Sequence, residues 1–194
     1  MRLITPRKIL FLSFLWCCTL GAQTVQKVAI KLVDDAGVSV KNAQVAAILK
    51  SGAYQDALWD QASGEYRCEP TEKCIKVFAG AEGFEASSVK YPGSAGSFAV
   101  TLKKSVAKSS AVIHRSGSLP GITGTINPIF DSQKRTYLYA TKIGLESKGR
   151  PAQQPLYFTL NKPVDAVSPT GGAFKIWVID ITQEVSLVEY TRPK

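Results

Sequence analysis

The sequence predicts an all-β protein, with an immunoglobulin-like β-sandwich followed by a small β-barrel or a second β-sandwich. In Ser97–Lys103 the large apolar residues alternate with smaller or polar ones, and in Val28–Val33 the residues Val28, Ile30 and Leu32 share one face. This is the period of a half-buried strand. Clusters of Gly, Pro, Ser and Asp separate these runs. No long segment shows the repeat of an amphipathic helix, so short strands packed in layers are expected.

The chain divides into three parts after its N-terminal segment. Residues 23–103 are predicted to form the first sandwich. Residues 104–118 (KSVAKSSAVIHRSGS) are rich in Ser, Lys and Ala and are predicted to be a linker. Residues 119–194 are predicted to form a small all-β domain. Its segment Phe174–Ile181 (FKIWVIDI) is apolar on both faces, which is typical of a central strand or of one that closes a small barrel.

The N-terminus predicts export. Residues 1–22 have the order of a signal peptide: basic residues, then the twelve-residue apolar run ILFLSFLWCCTL, then small residues at Gly21-Ala22. The run is too short to span a bilayer, and no later segment is apolar enough to span. A lipidated Cys17 or Cys18 is disfavoured because the bulky Trp16 precedes them. The mature chain is therefore expected to be periplasmic or secreted.

The charge balance limits the partners. The formal net charge of +9 falls to +6 when the signal peptide, with three basic and no acidic residues, is removed. Both signs are interspersed, which is typical of a solvated surface, and a preference for an acidic partner is the alternative. Nucleic acid is excluded as a partner because the chain has no dense Lys/Arg run.

Two cysteines remain in the mature chain, Cys68 and Cys74, separated by five residues in CEPTEKC. This spacing is neither a CxxC redox pair nor half of a four-cysteine zinc site. In an exported protein the pair predicts a structural disulfide, which would stabilise the fold by about 2 kcal/mol. A redox-active or metal-binding pair is the alternative.

Residues suited to catalysis are scarce. The chain has one histidine, His114, in the predicted linker, so a histidine metal cluster is excluded. No nucleophile elbow, P-loop or dinucleotide fingerprint is present. We therefore predict no catalytic residues, no metal and no cofactor. An acid–base role for Asp180 would need a second carboxylate opposite it, such as Glu184 or Glu189.

A basic and aromatic cluster is the best candidate for partner binding. Lys134 and Arg135 precede Tyr137 and Tyr139, which share one face of a predicted strand. Tyrosine and arginine are enriched at protein interfaces. Half-buried strand tyrosines without a binding role are the alternative.

Three segments of the first sandwich carry a resemblance to a known family. They are DDAGVSVKNAQV, WDQASGEYRC and KVFAGAEGFEASSV. In this order they resemble the carboxypeptidase regulatory-like (transthyretin-like) family over residues 25–103, although Ser39 stands where that family usually has proline. The resemblance implies a β-sandwich that serves as an accessory or binding module without catalytic residues.

These observations predict a non-enzymatic binding or accessory protein of the bacterial periplasm or cell envelope. Its partner is expected to be an envelope or secreted protein, with peptidoglycan or another glycan as the second class. The alternatives are a periplasmic inhibitor or immunity protein that blocks a hydrolase, and a glycan hydrolase that works with two carboxylates.

Overall fold

The computed structural model describes residues 26–93 and 96–193. This part of the chain is all-β and sandwich-like, as predicted, with strands in four sheets and no helix. None of its segments is a helix that could cross a membrane. The predicted signal peptide, with Cys17 and Cys18, lies outside the described residues, so export stays a prediction.

Within the described residues, seventeen strands, numbered in chain order, form the four sheets. Sheet I contains β4 (Leu58–Asp60), β5 (Glu65–Cys68), β1 (Val28–Asp34) and β8 (Ser97–Leu102). Sheet II contains β3 (Tyr54–Asp56), β2 (Gln44–Leu49), β6 (Cys74–Gly80) and β7 (Ser87–Lys90). Sheet III contains β13 (Arg150–Pro151), β12 (Gly144–Ser147), β15 (Pro163–Val167), β16 (Ala173–Ile181), β17 (Val185–Thr191) and β9 (Lys108–His114). Sheet IV contains β10 (Thr125–Phe130), β11 (Thr136–Thr141) and β14 (Leu156–Tyr157).

The sheets stack in the order I, II, III, IV, with an apolar core between each neighbouring pair. The core between sheets I and II includes Ile30 of β1 and Ala47 of β2. The core between sheets II and III includes Phe78 of β6 and Leu187 of β17. The third core, between sheets III and IV, is built around residues such as Ile176. Because sheet II contacts a sheet on each side, β2 is buried on both faces from Val45 to Leu49.

The prediction of a linker over residues 104–118 is wrong for its central part. Lys108–His114 form β9, which pairs with the whole of β17 at the edge of sheet III. Ala111 and Ile113 enter the core beside sheet IV, whereas Val112 enters the core beside sheet II. The Ser-rich composition is compatible with burial because the hydroxyls of Ser109 and Ser110 accept backbone hydrogen bonds from the turn that follows β6.

The predicted disulfide is not formed in this structure. Cys68 ends β5 in sheet I and Cys74 begins β6 in sheet II, and both are free thiols in the core between these sheets. Burial raises the pKa of Cys68 to about 12, with a smaller contribution from the neighbouring Cys74. The two thiols therefore pack as small apolar side chains, which is a common role for buried cysteine.

Candidate functional site

Arg192 stands at the junction of three hollows where the ends of sheets II and III meet. We call this region the Arg192 cleft. One hollow, of about 450 Å³, lies between the Pro120–Thr123 loop, the Ser168–Thr170 turn and Glu82. A second, of about 530 Å³, also contains Glu82 and extends to Lys41 and Lys104. The third, of about 230 Å³, lies beside Ser105–Ser109. The first two have volumes in the usual range for small-molecule sites.

Glu82 is placed by the turn that follows β6, and β9 holds this turn. The backbone N–H of Ala81 donates to Ser110 Oγ at 3.0 Å, and the N–H of Gly83 donates to Ser109 Oγ at 3.0 Å. Gly83 has φ +78°, a conformation that glycine adopts without strain. The segment predicted to be a linker therefore fixes the backbone on both sides of Glu82.

Arg192 is placed by the end of β17. Its Nη2 lies 2.6 Å from Glu82 Oε1, and both side chains remain largely exposed. Two residues earlier, the buried Tyr190 donates a hydrogen bond from its hydroxyl to the carbonyl of Pro120 at 2.8 Å. Burial raises the pKa of Tyr190 to about 12, so it remains a neutral donor near neutral pH. This hydrogen bond ties one wall of the cleft to the strand that presents Arg192.

The second hollow adds two lysines. Lys104 Nζ lies 2.6 Å from Oδ2 of the buried Asp34, whose Oδ1 accepts the backbone N–H groups of Ala36 and Val38. The hydrogen bond from Lys104, followed by that from Val38, lowers the pKa of Asp34, and the same pairing raises the pKa of Lys104. Lys41 makes no ion pair with any residue between 26 and 193 that the structure describes. Its ammonium group is therefore available to an anionic ligand.

The lining suits a ligand that carries phosphates and hydroxyls. Arg192 can donate two parallel hydrogen bonds to a phosphate, and the ammonium group of Lys41 can attract a second phosphate oxygen. Ser168 and Thr170, whose hydroxyls lie 3.0 Å apart, supply neutral polar groups on the opposite wall. Within residues 26–93 and 96–193, no group of three or more His, Cys, Asp or Glu side chains is arranged to hold a metal ion.

The structure brings together two of the four predicted partner-binding residues. Asp131 Oδ2 accepts hydrogen bonds from Arg135 Nε at 2.8 Å and from the Tyr137 hydroxyl at 3.0 Å. The Arg135 guanidinium lies 5.5 Å from the centre of the Tyr137 ring. Burial raises the pKa of Asp131, but the hydrogen bonds from Arg135 and Tyr137 outweigh this effect and lower it. Asp131 thus fixes Arg135 against the ring.

The other two predicted residues lie apart from this cluster. Lys134 occupies the tip of the β10–β11 turn with φ +62°. Tyr139 is exposed and lines a separate hollow of about 280 Å³ with Asn127. The sequence did not single out Tyr157, whose ring centre lies 4.9 Å from that of Tyr137. Whether these residues bind a partner stays a prediction at this point.

Two of the acid–base candidates, Asp180 and Glu189, are engaged in contacts between sheets, whereas Glu184 pairs with Arg115 at the surface. Asp180 Oδ2 accepts from Lys76 Nζ and Ser88 Oγ, each at 2.6 Å. Glu189 accepts from Lys108 Nζ at 2.7 Å and from the backbone N–H of Ala86 at 2.9 Å. These carboxylates link sheet II to sheet III, a structural role.

Comparison with known proteins gives one informative match. No family model and no solved structure match the chain. The resemblance of residues 25–103 to the carboxypeptidase regulatory-like family therefore stays a prediction. The chain is 27% identical over 163 residues to the 3' cyclic ADP-D-ribose synthase AaTIR of Aquimarina amphilecti. The match covers 84% of this chain and 49% of the relative, so the chain spans about half the length of that protein.

This match contradicts the predicted function. The chain was expected to be a non-enzymatic binding or accessory protein, with inhibition of a hydrolase or glycan hydrolysis as alternatives. The relative that aligns with most of the chain is instead named as a synthase of a cyclic nucleotide. The expectations of a binding protein and of no enzymatic role are therefore wrong. They rested on the absence of familiar catalytic motifs, and such an absence does not exclude enzymatic chemistry.

Proposed function

We propose that the chain contributes to the synthesis of a cyclic ADP-ribose and that the Arg192 cleft binds the ADP-ribosyl substrate. The observation that carries this proposal is the match of 84% of the chain to the synthase AaTIR. The cleft adds physical support, because two adjoining hollows share a guanidinium and a carboxylate and one of them also contains Lys41.

The substrate class follows from the product. A cyclic ADP-ribose contains a diphosphate that joins two riboses, so its precursor must carry an ADP-ribosyl group, as NAD⁺ does. In the reaction the bond between C1 of the second ribose and nicotinamide breaks, and its electron pair leaves with nicotinamide. A ribose hydroxyl oxygen of the same molecule then bonds to that carbon and releases its proton. NAD⁺ gives the cyclic product, nicotinamide and one proton.

Arg192 and Glu82 suit two different parts of this substrate. Arg192 and Lys41 face the cleft as donors for the diphosphate. A carboxylate is needed near the ribose carbon that becomes positively charged as nicotinamide leaves, because an anion held there stabilises the transition state. Glu82 is the carboxylate that the two larger hollows share. When the diphosphate engages Arg192, the pair between Arg192 and Glu82 opens and Glu82 becomes available to the ribose.

The test combines binding and turnover. The purified chain is incubated with NAD⁺, nicotinamide and cyclic ADP-ribose are measured by mass spectrometry, and ADP-ribose binding is measured by calorimetry. We expect Arg192→Ala to weaken ADP-ribose binding about tenfold or more. We expect Glu82→Gln to retain binding and to lower turnover about a hundredfold or more.

The ion pair between Arg115 and Glu184 provides matched controls. It is an exposed pair, with Nη2 and Oε1 3.4 Å apart, and neither residue lines the Arg192 cleft. Arg115→Ala and Glu184→Gln should leave both readouts unchanged. If the chain binds ADP-ribose but gives no product, it binds the substrate without catalysing the reaction, and Glu82 has no catalytic role. If the folded chain shows neither ADP-ribose binding nor product, the proposal is refuted.

A further inference from the structure

An exposed aromatic surface lies on sheet IV, at the opposite end of the stack of sheets from sheet I. Tyr157 is 67% exposed, and its ring lies 4.9 Å from that of Tyr137 at an interplanar angle of 55°. Tyr137 is held from behind by its hydrogen bond to Asp131. We call Tyr137, Tyr157 and Arg135 the tyrosine platform. Its rings are fixed on strands, so a planar ligand can stack on Tyr157 without first ordering a loop.

The platform continues into a basic hollow. The side chain of Tyr157 also lines a hollow of about 240 Å³ between sheets III and IV, together with Lys148 and Lys162. Neither lysine has an ion-pair partner among the residues that the structure describes. Of the two carboxylates in this hollow, Asp165 is already paired with Lys175 at 2.9 Å, which leaves Glu146 as the unpaired acid.

The backbone of Lys148 has an energetically unfavourable conformation. Lys148 has φ +54°, in the left-handed region, which is uncommon for a residue other than glycine and costs about 1 kcal/mol or more. The β12–β13 hairpin turn of which it forms part thus carries a lysine where glycine would be less strained. Lys142, in the turn between β11 and β12, has a similar φ of +65° but does not line the hollow.

We infer that the tyrosine platform and its basic hollow form a second binding site, for a nucleotide whose base stacks on Tyr157 and whose phosphates contact Lys148 and Lys162. An exposed tyrosine accepts any base on its face. Two unpaired lysines beside it favour an anionic group over a neutral one. A nucleotide combines a planar ring and phosphates in one ligand, whereas a neutral glycan would leave the lysines unused.

This site is separate from the Arg192 cleft and does not rest on the proposed function. The two regions share no lining residue. The platform lies on sheet IV and its boundary with sheet III, whereas the cleft lies where sheets II and III end. Occupation of the platform by a nucleotide would therefore leave the cleft open to substrate.

The experiment measures ADP binding to the full chain by calorimetry at low salt. The probes are ADP, adenosine and inorganic pyrophosphate, and the background is Arg192→Ala, which is expected to weaken any ADP binding to the cleft. We expect ADP to bind more tightly than either fragment. We expect Tyr157→Ala to raise the Kd about five- to a hundredfold, because base–aromatic stacking contributes on this scale. Tyr157 is exposed, so this substitution should leave folding intact.

Matched variants separate the contributions of ring and charge. Lys148→Ala should weaken ADP binding several-fold and leave adenosine binding unchanged, whereas Lys142→Ala, which alters a lysine of the same backbone conformation, should change neither. Tyr139→Ala serves as the aromatic control. The inference is overturned if Tyr157→Ala binds ADP as well as its parent does, or if Lys148→Ala and Lys142→Ala have equal effects. If the unmodified chain binds ADP but Arg192→Ala does not, ADP binds in the cleft, and the inference is also overturned.

Discussion

Gly80 lies at the contact between sheets II and III, and substitution of this residue tests the packing on which the Arg192 cleft depends. It ends β6, two residues before Glu82. A Cβ atom at this position would lie 2.9 Å from the backbone N of Ala111 and 3.1 Å from the carbonyl carbon of Ser110. Both contacts are with the backbone of β9, so no side-chain rotation relieves them. Gly80→Ala must push the two sheets apart locally.

The expected loss in the free energy of unfolding is a balance of two destabilising effects and one stabilising effect. Overpacking of a core contact destabilises by about 1–3 kcal/mol. Separation of the sheets also stretches the hydrogen bond from the Ser110 N–H to the Ala81 carbonyl, at 3.0 Å, and a lost bond of this kind costs about 1 kcal/mol. Replacement of glycine by alanine recovers about 0.4–1 kcal/mol because the unfolded chain loses freedom. The net loss is about 1–3 kcal/mol, or a fall in Tm of about 3–10 °C for a chain of this size.

Urea unfolding followed by circular dichroism measures this loss, with Gly144→Ala as the matched control. Gly144 also lies in a strand, β12, but a Cβ there would come no closer than 3.8 Å to Val167. The control should be neutral or slightly stabilising. If Gly80→Ala unfolds at the same urea concentration as Gly144→Ala, sheets II and III do not approach as described. The Arg192 cleft would then not be formed by the ends of these two sheets.

The remaining predictions concern the buried carboxylate of Asp34 and the two buried thiols. Because the pKa of Asp34 is lowered below its ordinary value of 3.8 by its bonds to Lys104 and the backbone, its contribution to stability is present above about pH 4 and is lost as the pH falls through the folded pKa. Asp34→Asn should therefore lower the free energy of unfolding at pH 7 and flatten its dependence on acid; an unchanged acid profile would contradict the pairing. Cys68 and Cys74 should react slowly with a thiol reagent in the folded chain, since burial raises their pKa values, and should yield two thiols after denaturation without reductant. Recovery of no thiols would show a disulfide instead.

Local patterns could predict the strands but not where each strand ends. The residues of Thr136–Leu145 (TYLYATKIGL) favour β-structure almost throughout, so no local pattern marks a boundary between two strands. The structure divides this segment between β11 in sheet IV and β12 in sheet III, with Lys142 at φ +65° between them. A lysine gives no sign of a positive φ in the sequence, because glycine is the residue that usually marks one.

The Arg192 cleft could not be predicted from the sequence either. Glu82 lies in a turn after β6 and Arg192 lies near the end of the chain, and neither belongs to a motif. They meet at 2.6 Å because β6 packs near β9 and β17, whose order in the sheets no local pattern encodes. Tyr137 and Arg135 could be selected because they are two residues apart in the sequence, Tyr137 in β11 and Arg135 just before it. Their partners Asp131 and Tyr157 come from a turn and from the neighbouring strand, so only the first of these was near in sequence.

The sequence by itself determined that this protein is built from β-strands, because alternation of apolar and polar residues is a local property that each strand carries. Tertiary structure decided which strands share a core. It placed Ser109–Ile113 in β9, where hydroxyls satisfy backbone groups and small apolar residues enter two cores. It also left Cys68 and Cys74 as packed thiols. Burial and pairing depend on residues distant in the chain, and through them the sheets assemble both the cleft and the platform.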